Sequence, residues 1–193
     1  ILTDVTGVQT CALPILREFS RVLRVGGTLF VTTPNMSCLR SKASFLFNES
    51  EYFRRLPPSE LDAVWFSEES EKLYYGHLFL ISFARMHMFA RLNGFELVLA
   101  HPNKVNWPSV LLSPLWPLLA LSNLEAALAE SLRRRKHGFG AMWKTYSAIA
   151  LRNLSPSILF CKHLFVEFRK VAEADETARK LRGKHHEAME SMR

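Results

Sequence analysis

Cysteine is scarce in this 193-residue chain, and Cys11, Cys38 and Cys161 form no C-x-x-C pair. Their spacing indicates neither a zinc site nor a disulfide scaffold. His185-His186-Glu187 lacks the i,i+4 spacing by which a helix presents two imidazoles to a metal, and reads as tail. Long apolar runs are missing too. The strongest, residues 110–121 (VLLSPLWPLLAL), has twelve residues and two prolines, whereas a membrane-spanning helix needs roughly twenty apolar residues. The first residues lack a basic region followed by a long apolar one, so no secretory signal is expected and a reducing cytoplasm is the expected compartment. No internal repeat is visible. What is present, 48% hydrophobic and 22% charged residues, is the composition of a globular chain. At this length one domain with a sizeable core and an appendage is expected. The net charge of +7 permits nucleic acid or an anionic membrane as partner without choosing between them.

The chain is organised around residues 16–35, LREFSRVLRVGGTLFVTTPN. Leu16, Phe19, Val22 and Leu23 share one helical face, while Arg17, Glu18, Arg21 and Arg24 fall elsewhere, which predicts an amphipathic helix. Gly26-Gly27 stops it, because glycine enters the left-handed conformation without a Cβ penalty. Residues 28–33 (TLFVTT) then predict a strand buried on both faces. Pro34, with no N–H for the ladder, ends it.

These residues also resemble a family. Arg21-Val22-Leu23, Gly26-Gly27, Leu29, Val31 and Pro34-Asn35 are similar to the segment leading into the fifth strand of class I S-adenosylmethionine-dependent methyltransferases. Gly76-His77, a predicted helix, then Asn93-Gly94-Phe95 and a second strand at 95–100 (FELVLA) resemble the stretch between that family's fifth and sixth strands. Residues 163–169 (HLFVEFR) alternate well enough for its terminal seventh strand. The resemblance implies an α/β fold: the carboxyl-terminal part of a Rossmann-like sheet, its fifth, sixth and seventh strands, with a helical insertion. The seventh strand would run antiparallel between the other two. The family portion would be residues 16–101 and 158–170, the insertion 102–157, and the charged tail 171–193. In that tail Asp175/Arg179 and Glu176/Lys180 are i,i+4 pairs.

Residues 5–15, VTGVQTCALPI, show neither helical nor strand periodicity and resemble the conceptual translation of a short-read sequencing adapter. Residues 1–15 are therefore expected to be a non-native scar, which removes Cys11 from the count and, with Asp4, turns +7 into +8. Natural sequence would then precede Leu16.

Between the family segments, residues 36–47 predict a short helix and 48–71 a loop, with Pro57-Pro58 forbidding a continuous helix. Ser82 is a candidate N-cap, followed by Phe83, Met86, Phe89 and Ala90 on one apolar face and by Gly94 as terminator. Residues 124–132 continue as helix into Arg133-Arg134-Arg135-Lys136, and apolar strand character is expected from Ile158.

Methyl transfer from a sulfonium is an in-line displacement, so such an enzyme mainly aligns donor and acceptor and excludes water. The resemblance implies S-adenosylmethionine as cofactor, seated on a glycine-rich turn after the first strand. No G-x-G-x-G occurs here, and Gly26-Gly27 precedes a strand rather than following one. The expected parent is a methyltransferase acting on a small-molecule, lipid or saccharide-linked acceptor, and this chain alone is expected to be inactive. On the acceptor side, His77 is the candidate general base, since a neutral imidazole can take a proton near pH 7. The other reading is a histidine that ties a loop. Asn35, just past a strand's carboxyl end, either orients an acceptor or makes a turn. The apolar block and Arg133, Arg134, Arg135 and Lys136 read either as a cap on the sheet or as a peripheral element on an anionic membrane. Nucleic acid is the weaker expectation, because the basic run has no interleaved aromatics. The competing function is a non-catalytic α/β scaffold associated with a membrane.

Overall fold

The computed structural model describes residues 12–50, 64–67, 72–75 and 80–180. Two compact units divide the chain: Ile1–Thr32 with Arg85–His101 and Phe165–Arg193, and Thr33–Ala84 with Pro102–Leu164. Helices and strands mix along both, in an α/β arrangement.

The main sheet has three strands, β1 (Thr28–Pro34), β4 (Phe95–His101) and β5 (His163–Lys170), in the order β1-β5-β4. Strand β5 pairs antiparallel with β4, from Phe95 opposite Lys170 to His101 opposite Phe165. It runs antiparallel to β1 as well. The Gly26 N–H donates to the Lys170 carbonyl and the Lys170 N–H to that of Gly27, both at 2.8 Å, whereas the Asn35 N–H reaches Lys162 at 3.4 Å. Numbers that rise on one strand fall on the other. Hence β1 and β4 are parallel to each other with β5 between them, as the sequence predicted. The expectation that β1 is buried on both faces fails. Among the described residues β1 is a sheet edge, and its side chains alternate between exposed and half-buried. Its apolar run reflects the β preference of branched and aromatic residues more than two-sided burial.

Helix α1 (Ala12–Val22) takes its first turn from the segment expected to be non-native. Its buried positions are Leu16 and Ser20, while Phe19 and Val22 are exposed, so the face turned inward is rotated from the predicted one. Helix α3 (Phe83–Leu92) buries Phe83, Met86, Phe89 and Ala90 as expected. On β5 one face is entirely buried, through Leu164, Val166, Phe168 and Lys170. Gly94 ends α3 at φ +81°, and its carbonyl accepts the Val171 and Ala172 N–H groups. Helix α8, residues 174–180, carries the predicted Glu176–Lys180 pair at 2.7 Å, while Asp175 pairs with Arg17 at 3.1 Å.

The second unit holds α2 (Leu39–Asn48), a hairpin of β2 (Val64–Ser67) and β3 (Lys72–Tyr75), then α4 (Trp107–Leu111), α5 (Trp116–Arg133), α6 (Phe139–Asn153) and α7 (Pro156–Leu159). Two expectations are corrected here. Residues 64–67, assigned to loop, form a strand. Ile158 and Leu159, assigned to strand, close a helical turn. The apolar block is divided at its prolines: α4 ends at Leu111, Pro114 lies in a 3-10 turn at Ser113–Leu115, and Pro108 and Pro117 sit in the first turns of α4 and α5. There a missing N–H costs nothing and a fixed φ helps. No helix among the described residues is long and apolar enough to cross a membrane.

Candidate functional site

In open α/β sheets ligands gather at the carboxyl ends of parallel strands, which here means the end of β1 and the end of β4. At the first stands Asn35, 5% exposed. Its Nδ2 donates to the carbonyls of Ile158 (2.7 Å) and Cys161 (2.9 Å), and its Oδ1 accepts the Ser37 N–H at 3.0 Å. The carboxamide is thus engaged with the backbone on both sides, and it clasps the loop after β1 to the segment after α7. Neighbouring groups extend the clasp. Ser37 Oγ accepts the Phe83 N–H at 2.8 Å, Ser109 Oγ accepts the Arg40 N–H at 3.1 Å, and Cys38 Sγ lies 3.3 Å from Ser41 Oγ. One turn into α2, burial lowers the pKa of Lys42, with the nearby Cys38 acting in the opposite sense.

At the end of β4 the structure shows a residue that sequence reasoning missed. His101 Nε2 lies 2.8 Å from Glu167 Oε2, with side-chain exposures of 30% and 19%. The His101 ring stands 5.1 Å from that of Phe165 and 6.1 Å from that of Phe30. These residues share the face of the sheet opposite the buried face of β5. A carboxylate at this distance from a ring nitrogen is an arrangement that orients an imidazole. The pairing depends on cross-strand register, with Leu99 opposite Glu167 and His101 opposite Phe165. A strand read in isolation gives no sign of it.

His77, the candidate base, lies outside the described residues, as do His185, His186 and Glu187. The described residues contain no group of three His, Cys, Asp or Glu side chains able to hold a metal ion. Gly26 and Gly94 have positive φ, but each leads into a strand; neither forms a turn from strand to helix that would cradle a nucleotide-like cofactor. Among the described residues, Gly26 and Gly94 therefore do not fit the cofactor half of a methyltransferase site.

The basic run is partly spoken for. Glu130 accepts from Arg134 Nε at 2.5 Å and stands 3.6 Å from Arg133, and the Arg134 hydrogen bond holds its carboxyl below the usual range. Arg134 also lies over the Tyr146 ring, 6.0 Å from its centre. No family model, no curated protein and no solved structure matches the chain.

Proposed function

We propose that this chain supplies the fifth, sixth and seventh strands of a class I S-adenosylmethionine-dependent methyltransferase domain. Its parent would transfer a methyl group to a small-molecule, lipid or saccharide-linked acceptor. The observation that carries this reading is the strand order β1-β5-β4, in which the last strand inserts antiparallel between two parallel ones. Such an order is not the default for consecutive strands, which usually neighbour each other. The double-glycine turn into β1 and the Asn93-Gly94 turn into β4 add support, because both sit where the resemblance puts them.

On this reading the cofactor turn belongs to sequence joined ahead of Leu16, and the chain by itself does not bind S-adenosylmethionine. His77 is the proposed base or acceptor contact, and Asn35 shapes the loop at the carboxyl end of β1. Recovering the upstream reading frame provides the test. A glycine-rich strand-to-helix turn followed by an acidic residue is expected there, and the extended protein should bind S-adenosylmethionine in a calorimetric titration. An extended frame without that turn, or stoichiometric binding by the 193 residues alone, would overturn the reading. A second reading, a non-catalytic α/β module held at a membrane, is favoured by the exposed leucines of α5.

A further inference from the structure

Helix α5 has two unlike sides. Ala127 and Ser131 are buried, and α6 packs along this helix after a five-residue link, Arg134 to Gly138. Small side chains on that side let two helices approach closely. Next to that buried strip, Leu118, Leu121, Leu124, Leu128 and Leu132 recur at intervals of three, three, four and four residues. At 100° per residue they fall within an arc of about 120°. All five are 43–66% exposed. Trp107 (71% exposed) and Leu111 on α4 and Trp116 at the start of α5 are exposed as well.

The charge around this surface is mostly positive, with Glu125 the one acidic group on the leucine arc. Residues 102–157 hold seven Lys and Arg against Glu125 and Glu130, and Glu130 is already paired within the helix. Arg135 and Lys136, both exposed, follow directly on the end of the leucine row. A second copy of the chain would bring two cationic surfaces together with little acid to meet them. A surface with excess negative charge and an apolar interior meets both features.

We propose that α4 and α5 lie along the surface of an anionic bilayer. The leucine row, Trp107 and Trp116 enter the headgroup boundary, and Arg135 and Lys136 rest on lipid phosphates. The inference does not depend on methyl transfer, and its test involves no cofactor.

The test is co-sedimentation of the 193-residue chain with phosphatidylcholine vesicles that contain or lack phosphatidylserine. Binding is expected with phosphatidylserine only. It should weaken as salt rises, with a blue shift of tryptophan emission. Each cation near the surface contributes about fivefold, so Arg135→Gln with Lys136→Gln should weaken partitioning roughly 25-fold. Leu121→Gln with Leu128→Gln, on the exposed side, should lower it at least about tenfold while the thermal melt stays unchanged. Equal recovery in the supernatant with both vesicle types would overturn the proposal. So would concentration-dependent dimers that the leucine double variant abolishes, because they would assign the row to a second copy.

Discussion

Replacing Asn35 by alanine removes the clasp and leaves its partners behind. Two carbonyls, of Ile158 and Cys161, and the Ser37 N–H lose hydrogen bonds of 2.7, 2.9 and 3.0 Å in a buried setting. A typical bond contributes about 1 kcal/mol net, and a buried group left unpaired costs about 1–3 kcal/mol. Part of that cost is recovered where water reaches the carbonyls, which leaves about 3 kcal/mol for the three together. For a chain of this size 1 kcal/mol moves the melting temperature by about 2–4 °C, so a fall of about 6–12 °C is expected. Circular dichroism on heating measures it. Asn35→Asp sharpens the test. It keeps an acceptor for the Ser37 N–H but sets a carboxylate oxygen against two carbonyl oxygens. At pH 7 it should melt no higher than the alanine variant, and it should recover at acid pH as the carboxyl regains a hydrogen to donate. A melt of Asn35→Ala within about 2 °C of the parent would refute the clasp.

Three further outcomes are expected. Gly94→Ala should destabilise far more than Gly26→Ala: both have positive φ, but a Cβ at Gly94 would meet the Ala172 carbonyl oxygen at 2.1 Å, while at Gly26 it meets nothing within 4 Å. Gly26→Ala should cost only the left-handed backbone term, about 1–2 kcal/mol, and urea titration ranks the two. Lys170→Met should cost about 2–4 kcal/mol by chemical denaturation. The Lys170 ammonium, 1% exposed, donates to the Ser20 and Leu23 carbonyls at the end of α1 and to Glu173, where a cation also suits the helix dipole. Lys42→Met should stabilise the protein at neutral pH. Burial lowers the folded-state pKa of Lys42 from 10.5, so the unfolded chain holds the proton more tightly and parent stability rises as pH climbs between the two values. The advantage of the variant should therefore shrink in alkaline buffer, and equal differences at both pH values would show that Lys42 bears no burial cost.

The strands were legible because each carries its own boundary marks. Gly26-Gly27 and Asn93-Gly94 announce β1 and β4, and the alternation of residues 163–169 announces β5. The faces were less legible. In α1 the buried position between turns is Ser20, a residue that no hydrophobic pattern selects, and its carbonyl serves the distant Lys170. The strand at 64–67, paired with 72–75, hid behind the nearby Pro57-Pro58, which argued locally for loop. The break at residues 112–115 is marked by Pro114, but a pattern alone does not show that Pro108 and Pro117 open helices rather than end them. His101 and Glu167 lie 66 positions apart and meet only through register. Long-range pairing of that kind has no local signature.

The place of β5 in the sheet has a consequence for how the protein is made. Among the described residues neither β1 nor β4 has the other as neighbour; each is joined through residues 163–170, the latest of the described strands along the chain. Until those residues emerge, both earlier strands wait with open edges, and the contact closing β1 must bridge more than a hundred residues. Closing so long a loop slows folding, and waiting strand edges are prone to pair with other chains. A ribosome stalled before His163 would release a polypeptide with no three-stranded sheet at all, a natural substrate for chaperones and proteases.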